Sequence, residues 1–126
     1  MKVLLDTHIL LWWMADDRRL PRSARIAIED PANQIFVSIA SLWETAIKFA
    51  LTRVVADPEA LRDAAERDGF SLLHIEAKHC SAVARLPHHH NDPFDRMLVA
   101  QALAEPMRLL THDAQLARYS DTVTVV

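Results

Sequence analysis

Apolar residues occur along this chain in two rhythms. Five short runs, KVLLD (residues 2–6), QIFVSI (34–39), FSLLHI (70–75), MRLLTH (107–112) and TVTVV (122–126), are nearly continuous and rich in leucine or β-branched residues. That is the pattern of strands covered on both faces. Between them, apolar residues recur at helical spacing in THILLWWMAD, PRSARIAIED, ASLWETAIKFALTR, PEALRDAAERD, EAKHCSAVARL, PFDRMLVAQALAE and DAQLARY, bounded by Pro21, Pro58, Gly69, Pro87, Pro93 and Pro106. Strands alternating with helices predict right-handed crossovers, a mostly parallel five-stranded sheet and a three-layer α/β/α sandwich.

With 126 residues, 51% apolar and 25% charged, the chain has the size of one globular domain over residues 1–126 and can bury a core without disulfides. A single glycine, Gly69, excludes a glycine-rich phosphate loop and disfavours a hairpin-rich all-β fold. Asp6 and His8 interrupt the first apolar run, so neither a signal peptide nor a membrane span is expected. Cys80, the only cysteine, has no internal disulfide partner. A reducing, cytoplasmic setting is therefore expected, and the amphipathic pattern of KHCSAVARL predicts a buried thiol. The net charge of −3, with three lysines among 14 basic residues, argues against wholesale wrapping of nucleic acid. A local patch of Arg18, Arg19, Arg22 and Arg25 stays open as a phosphate contact or as a solvated face.

In parallel sheets the ligand site lies beyond the carboxyl ends of the strands. Asp6 follows the first run and Asp113 the fourth; taken alone, each reads as an N-cap of the next helix. Glu44 shares a helical stripe with Ala40, Ile47 and Leu51, which carries its carboxylate to the buried face, whereas an i,i+4 pair with Lys48 is its surface alternative. Asp92 before Pro93 reads as a cap. Asp95 then heads a stripe of Leu98, Val99 and Ala102, with a favourable helix-dipole position as its plain role. If Asp6, Glu44, Asp95 and Asp113 converge, each close pair costs on the order of 4 kcal/mol at about 4 Å and an effective dielectric near 20, so the cluster must protonate or hold cations. All-oxygen ligation favours Mg²⁺, with Mn²⁺ as its substitute, over zinc. Such an ion keeps waters and leaves open positions for phosphate oxygens.

VLLDTHILLWW, SIASLWETAIK, HNDPFDRMLVAQA and LLTHD, in this order, resemble the PIN-domain proteins of the VapC toxin group over nearly the whole chain. The resemblance implies a metal-dependent endoribonuclease, the toxin of a bacterial or archaeal toxin and antitoxin pair. An RNA substrate, a cognate antitoxin, a homodimer and products with 5′ phosphate and 3′ hydroxyl ends come with it. It matches Asp6, Glu44 and Asp95 to the first three metal-binding acids and Asp113 to a more variable fourth. Thr7, Ser38 and Thr111 fall where the family places hydroxyls near the site, to orient ligands or waters; capping is their competing role.

Other polar residues read more plainly. His88, His89 and His90 are expected in a solvated loop, with metal or phosphate contact as the alternative, and His8 and His112 adjoin site acids within reach of a substrate. Trp12 and Trp13 are about 100° apart on a helix, so one leaves the sheet-facing stripe, free to anchor a protein contact. Two rival functions remain in view: a Mg-dependent phosphatase or receiver-like domain, and a non-catalytic PIN-like partner-binding module. Against the first, no aspartate lies two positions after Asp6 and no lysine lies near the last strands.

Overall fold

A computed structural model of the chain describes residues 1–51 and 56–126. In chain order the elements are β1 (Lys2–Leu5), α1 (Thr7–Met14), α2 (Arg22–Glu29), β2 (Gln34–Ser38), α3 (Ile39–Ala50), α4 (Pro58–Arg67), β3 (Ser71–Leu73), α5 (Ala77–Ala84), α6 (Pro93–Ala104), β4 (Arg108–Thr111), a 3₁₀ turn (Ala114–Arg118) and β5 (Val123–Val125). The strands form one sheet in the order β3-β2-β1-β4-β5, and every pairing is parallel. The predicted sandwich is therefore observed. The predicted helix over DAQLARY is reduced to a 3₁₀ turn, which reaches the core through a buried Leu116 and a partly buried Tyr119. Thr52 and Arg53, the predicted end of the third helix, lie outside the described residues.

Alternation along the central strands divides the core in two. Val3 and Leu5, Ile35 and Val37, and Leu110 face a layer built on Ile9, Leu10, Ala24, Ile28 and Leu61 from α1, α2 and α4. Leu4, Phe36 and Leu109 face the opposite layer, where Ala40, Leu98, Val99 and Ala102 come from α3 and α6. Covered on both sides, these strands are apolar between a polar first residue (Lys2, Gln34 or Arg108) and their carboxyl ends, where Asp6, Ser38 and Thr111 are all buried. The chain turns from α4 into β3 through Gly69 at φ +79°. Its N–H reaches the Glu66 carbonyl and the Phe70 N–H reaches Ala65, a left-handed C-terminal cap that glycine adopts without penalty. No described helix is long and apolar enough to cross a membrane.

One buried polar chain ties the second layer to the sheet. Ser38 donates to Oε1 of Gln101 (2.5 Å), whose Nε2 donates to the His74 carbonyl (3.4 Å). His79 accepts the Glu76 N–H at Nδ1 (2.9 Å), which leaves the proton on Nε2 to donate to Glu105 (2.6 Å). Lys78 adds an ion pair to the same carboxylate (3.2 Å), and these bonds hold Glu105 below its ordinary pKa. His79, fully buried, occupies the inward position expected for Cys80, which is exposed. The two are about 100° apart on α5, so only one can face α6, and the partner available there is a carboxylate rather than an apolar side chain.

Candidate active site

Strand order reverses at β1: β2 and β3 lie on one side of it, β4 and β5 on the other. Carboxyl ends on either side of such a reversal leave a crevice. A cavity of about 250 Å³ opens there, lined by Asp6, His8, Trp12, Asp95, His112 and Asp113.

Each acid is delivered by a simple local device. Asp6 ends β1 and caps α1 by accepting the His8 N–H (3.2 Å), so the cap that sequence suggested is real; its other oxygen accepts the hydroxyl of Thr111 from the end of β4. Asp92 caps α6 through the Phe94 and Asp95 N–H groups, with Pro93 next. That start places Asp95 in the first turn above Leu98, Val99 and Ala102, all essentially inaccessible, as the stripe predicted. Asp113 caps the 3₁₀ turn through the Gln115 N–H (2.9 Å) and is half-buried.

Glu44 sits behind the cavity on α3, only 4% exposed. Lys48 bonds its Oε2 at 2.8 Å, so the buried and ion-paired readings both hold. Its buried helical neighbours, however, are Ala40, Ser41 and Thr45, while Ile47 and Leu51 are exposed, contrary to the expected stripe. The other oxygen, Oε1, is buried with no hydrogen-bond partner among the described residues. An orphaned carboxylate oxygen is costly to bury and fits a group that a cation completes.

The three expected hydroxyls are all buried, and each joins two elements. Thr7 donates to Ser41 (2.9 Å), tying α1 to α3 one turn before Glu44; Ser38 caps α3 through the Ala40 N–H and holds Gln101 of α6; Thr111 joins Asp6 to the Asp113 N–H (3.0 Å). Only Thr111 touches a site acid directly.

His90 departs from the solvated-loop expectation. Its Nδ1 accepts the Asp92 N–H (3.0 Å), so Nε2 carries the proton, 2.9 Å from Asp113 and 3.7 Å from Asp95. His90, Asp95 and Asp113 thus present ligand atoms within 4.8 Å of one another. His88, by contrast, is exposed and pairs only with Asn91.

Charge crowding is evident in the ionisation of the acids. Burial, then the charges of Asp6, Asp92, Glu44 and Asp113, push Asp95 up to about 8. Asp6 is also raised, chiefly by burial, against the bonds from Thr111 and His8. Both shifts signal a site built for more positive charge than the protein itself provides. Oxygen donors dominate, which suits a hard divalent cation.

Comparison with known proteins agrees with this geometry. The family model for the PIN domain matches residues 3–121. This chain belongs to the PIN-domain family. Ribonuclease VapC22 of Mycobacterium tuberculosis is 33% identical over 129 positions, covering 98% of this chain and 97% of that protein. The same fold occurs in VapBC2 from Rickettsia felis bound to a DNA fragment from their promoter (TM-score 0.68, 16% identity, 100% of this chain and 98% of that one). It also occurs in a toxin–antitoxin complex from Klebsiella pneumoniae (TM-score 0.70, 18% identity, 98% and 96%). In PIN-domain terms, Asp6, Asp95 and Asp113 share one cavity, with Glu44 close enough behind it for its charge to raise both Asp6 and Asp95.

Proposed function

We propose that this PIN domain, spanning residues 1–126, is a Mg²⁺-dependent endoribonuclease and the toxin of a VapBC-type pair, with Mn²⁺ able to replace Mg²⁺. The observation that carries the reading is the convergence of Asp6, Asp95 and Asp113 on one cavity, backed by a buried Glu44 whose Oε1 has no described partner. Identity to a protein named a ribonuclease supports the activity, and likeness in fold to toxin–antitoxin complexes supports an antitoxin partner.

In this reading Asp6, Glu44, Asp95 and Asp113 hold the metal. When bound, the ion supplies charge to the scissile phosphate and acidifies a water. Asp6 and Asp95 offer oxygens from the end of β1 and the first turn of α6, positions fixed by Thr111 and by the Asp92 cap. Glu44 and Asp113 complete the ligand set or take the proton that the water releases. No side-chain nucleophile is needed: Cys80 is exposed on α5 and does not line the cavity. Hydrolysis leaves 5′ phosphate and 3′ hydroxyl ends.

A homodimer has a candidate face in Trp43 and Ile47, exposed one turn apart on α3 beside an apolar cavity of about 220 Å³ between α3, α5 and α6. The expected compartment is the cytoplasm. The deciding experiment incubates the purified protein with single-stranded RNA and Mg²⁺ or Mn²⁺. Cleavage should require the metal, stop with EDTA, and fall at least about 100-fold in folded Asp6→Asn and Asp95→Asn. Cleavage that survives EDTA, or full activity in either variant, refutes the mechanism.

A further inference from the structure

Half of the residues lining the acidic cavity are rings. His8 and Trp12 lie one helical turn apart on α1 with centroids 5.9 Å apart, and His112, just beyond β4, meets Trp12 edge-on at 5.5 Å. Core packing does not account for all of them, since His8 and His112 are exposed and Trp12 is half-buried. Two are also braced. The Arg19 guanidinium lies 5.5 Å from the Trp12 ring centre and is held by Asp17 (2.8 Å), while His112 Nδ1 bonds the Val126 backbone oxygen (2.5 Å).

Cleaving a phosphodiester needs no aromatic group, and a pocket lined with carboxylates repels a polyanion. Where no ion neutralises these acids, they give a nucleic acid no affinity, and something other than their charge must hold it at this rim. A π-face does so, because every base can stack and stacking is indifferent to the negative backbone. Bases in a duplex keep their faces covered, so the ligand that matches this rim is an unpaired nucleotide.

We propose that His8, Trp12 and His112 form a stacking subsite for an unpaired nucleobase of the RNA strand beside the bond that is cut, with Arg19 bracing the tryptophan. The subsite rests on the nuclease reading above and adds to it three named rings on which cleavage depends through the base next to the bond that is cut. It also gives these rings a role in holding the strand rather than in the chemistry.

The test compares wild type with Trp12→Ala, Trp12→Phe and His112→Ala, each checked for folding by its melting curve. The substrate is a random-sequence single-stranded RNA pool with Mg²⁺ or Mn²⁺, read for KM, kcat and the bases flanking the cut. Anisotropy binding of a labelled single-stranded oligoribonucleotide in EDTA provides a readout independent of turnover. Trp12→Ala should raise KM and the metal-free Kd about tenfold, with kcat within about threefold, while Trp12→Phe stays near wild type. His112→Ala should blur the base preference at the cut. If wild type cuts but folded Trp12→Ala and His112→Ala keep its KM, Kd and cleavage pattern, the subsite is refuted and the rings belong to a protein contact. Should Trp12→Ala fail to fold, an unchanged cleavage pattern in folded His112→Ala together with equal cleavage of duplex and single strand refutes it. A wild type that cuts no RNA with either metal overturns the nuclease reading and the subsite together.

Discussion

Replacing the Asp95 carboxyl by a group that cannot ionise should stabilise the metal-free protein while destroying its function. Asp95 has a pKa of about 8 against an ordinary 3.8. Between those values the folded protein keeps a proton that the unfolded chain has lost, so its stability falls as pH rises, by 1.36 kcal/mol per unit. From pH 3.8 to pH 7 the full effect is about 4 kcal/mol; Asp95 is 17% exposed, and water reaching it lowers the figure toward about 2 kcal/mol. Asp95→Asn removes this ionisation, so in EDTA at pH 7 it should be more stable than wild type by about 2 to 4 kcal/mol, or roughly 6–12 °C for a domain of this size. At pH 4 the difference should vanish. Asp6, shifted in the same direction, leaves a slope of the same sign in the variant. Melting curves in EDTA across pH 4–8.5, repeated with Mn²⁺, test the idea, since the ion should stabilise wild type and leave Asp95→Asn almost unmoved. A metal-free Asp95→Asn less stable than wild type at pH 7, or a wild type that gains stability from pH 5 to 8, would refute the reasoning.

Other outcomes follow from the same contacts. Thr111→Val deletes the donor to Asp6 and the acceptor for the Asp113 N–H; Mn²⁺ affinity measured by calorimetry should weaken about 10- to 100-fold. His90→Ala frees Asp113 from its neutral N–H donor and should slow RNA cleavage about tenfold, whereas His90→Gln should recover part of the rate. His79→Ala leaves the Glu76 N–H and Glu105 without their partner and opens a cavity in a fully buried position, which should cost about 2–4 kcal/mol in urea unfolding.

Periodicity made legible those parts of the fold whose burial depends on apolar side chains. The strand runs and the stripe below Asp95 are of this kind, because Leu98, Val99 and Ala102 are buried for the ordinary hydrophobic reason. The stripe of Ala40, Ile47 and Leu51 points Glu44 inward, but only Ala40 of the three is buried. Its helix faces the site through small and polar residues, Ala40, Ser41 and Thr45, and turns Trp43 and Ile47 outward. The burial of His90 and His79 leaves no trace in the periodicity, because a polar side chain is buried by its partner, and those partners, Asp113 and Glu105, are 23 and 26 residues away. The neighbour of a histidine in space has no signature in its neighbours along the chain. The hydroxyls were located by family likeness, but their work as ties between elements depends on contacts up to 105 residues apart.

The Ser38–Gln101 bond fastens α6 to the end of β2 in the middle of the helix, while Asp92 secures the helix start. Fastened to the sheet and wound tight at its first turn, this rod holds its leading carboxylate in the crowd around it. Electrostatic discomfort therefore stays loaded at one spot instead of dissipating into the scaffold, ready to be released on arrival of an ion small and highly charged enough to satisfy several oxygens at once.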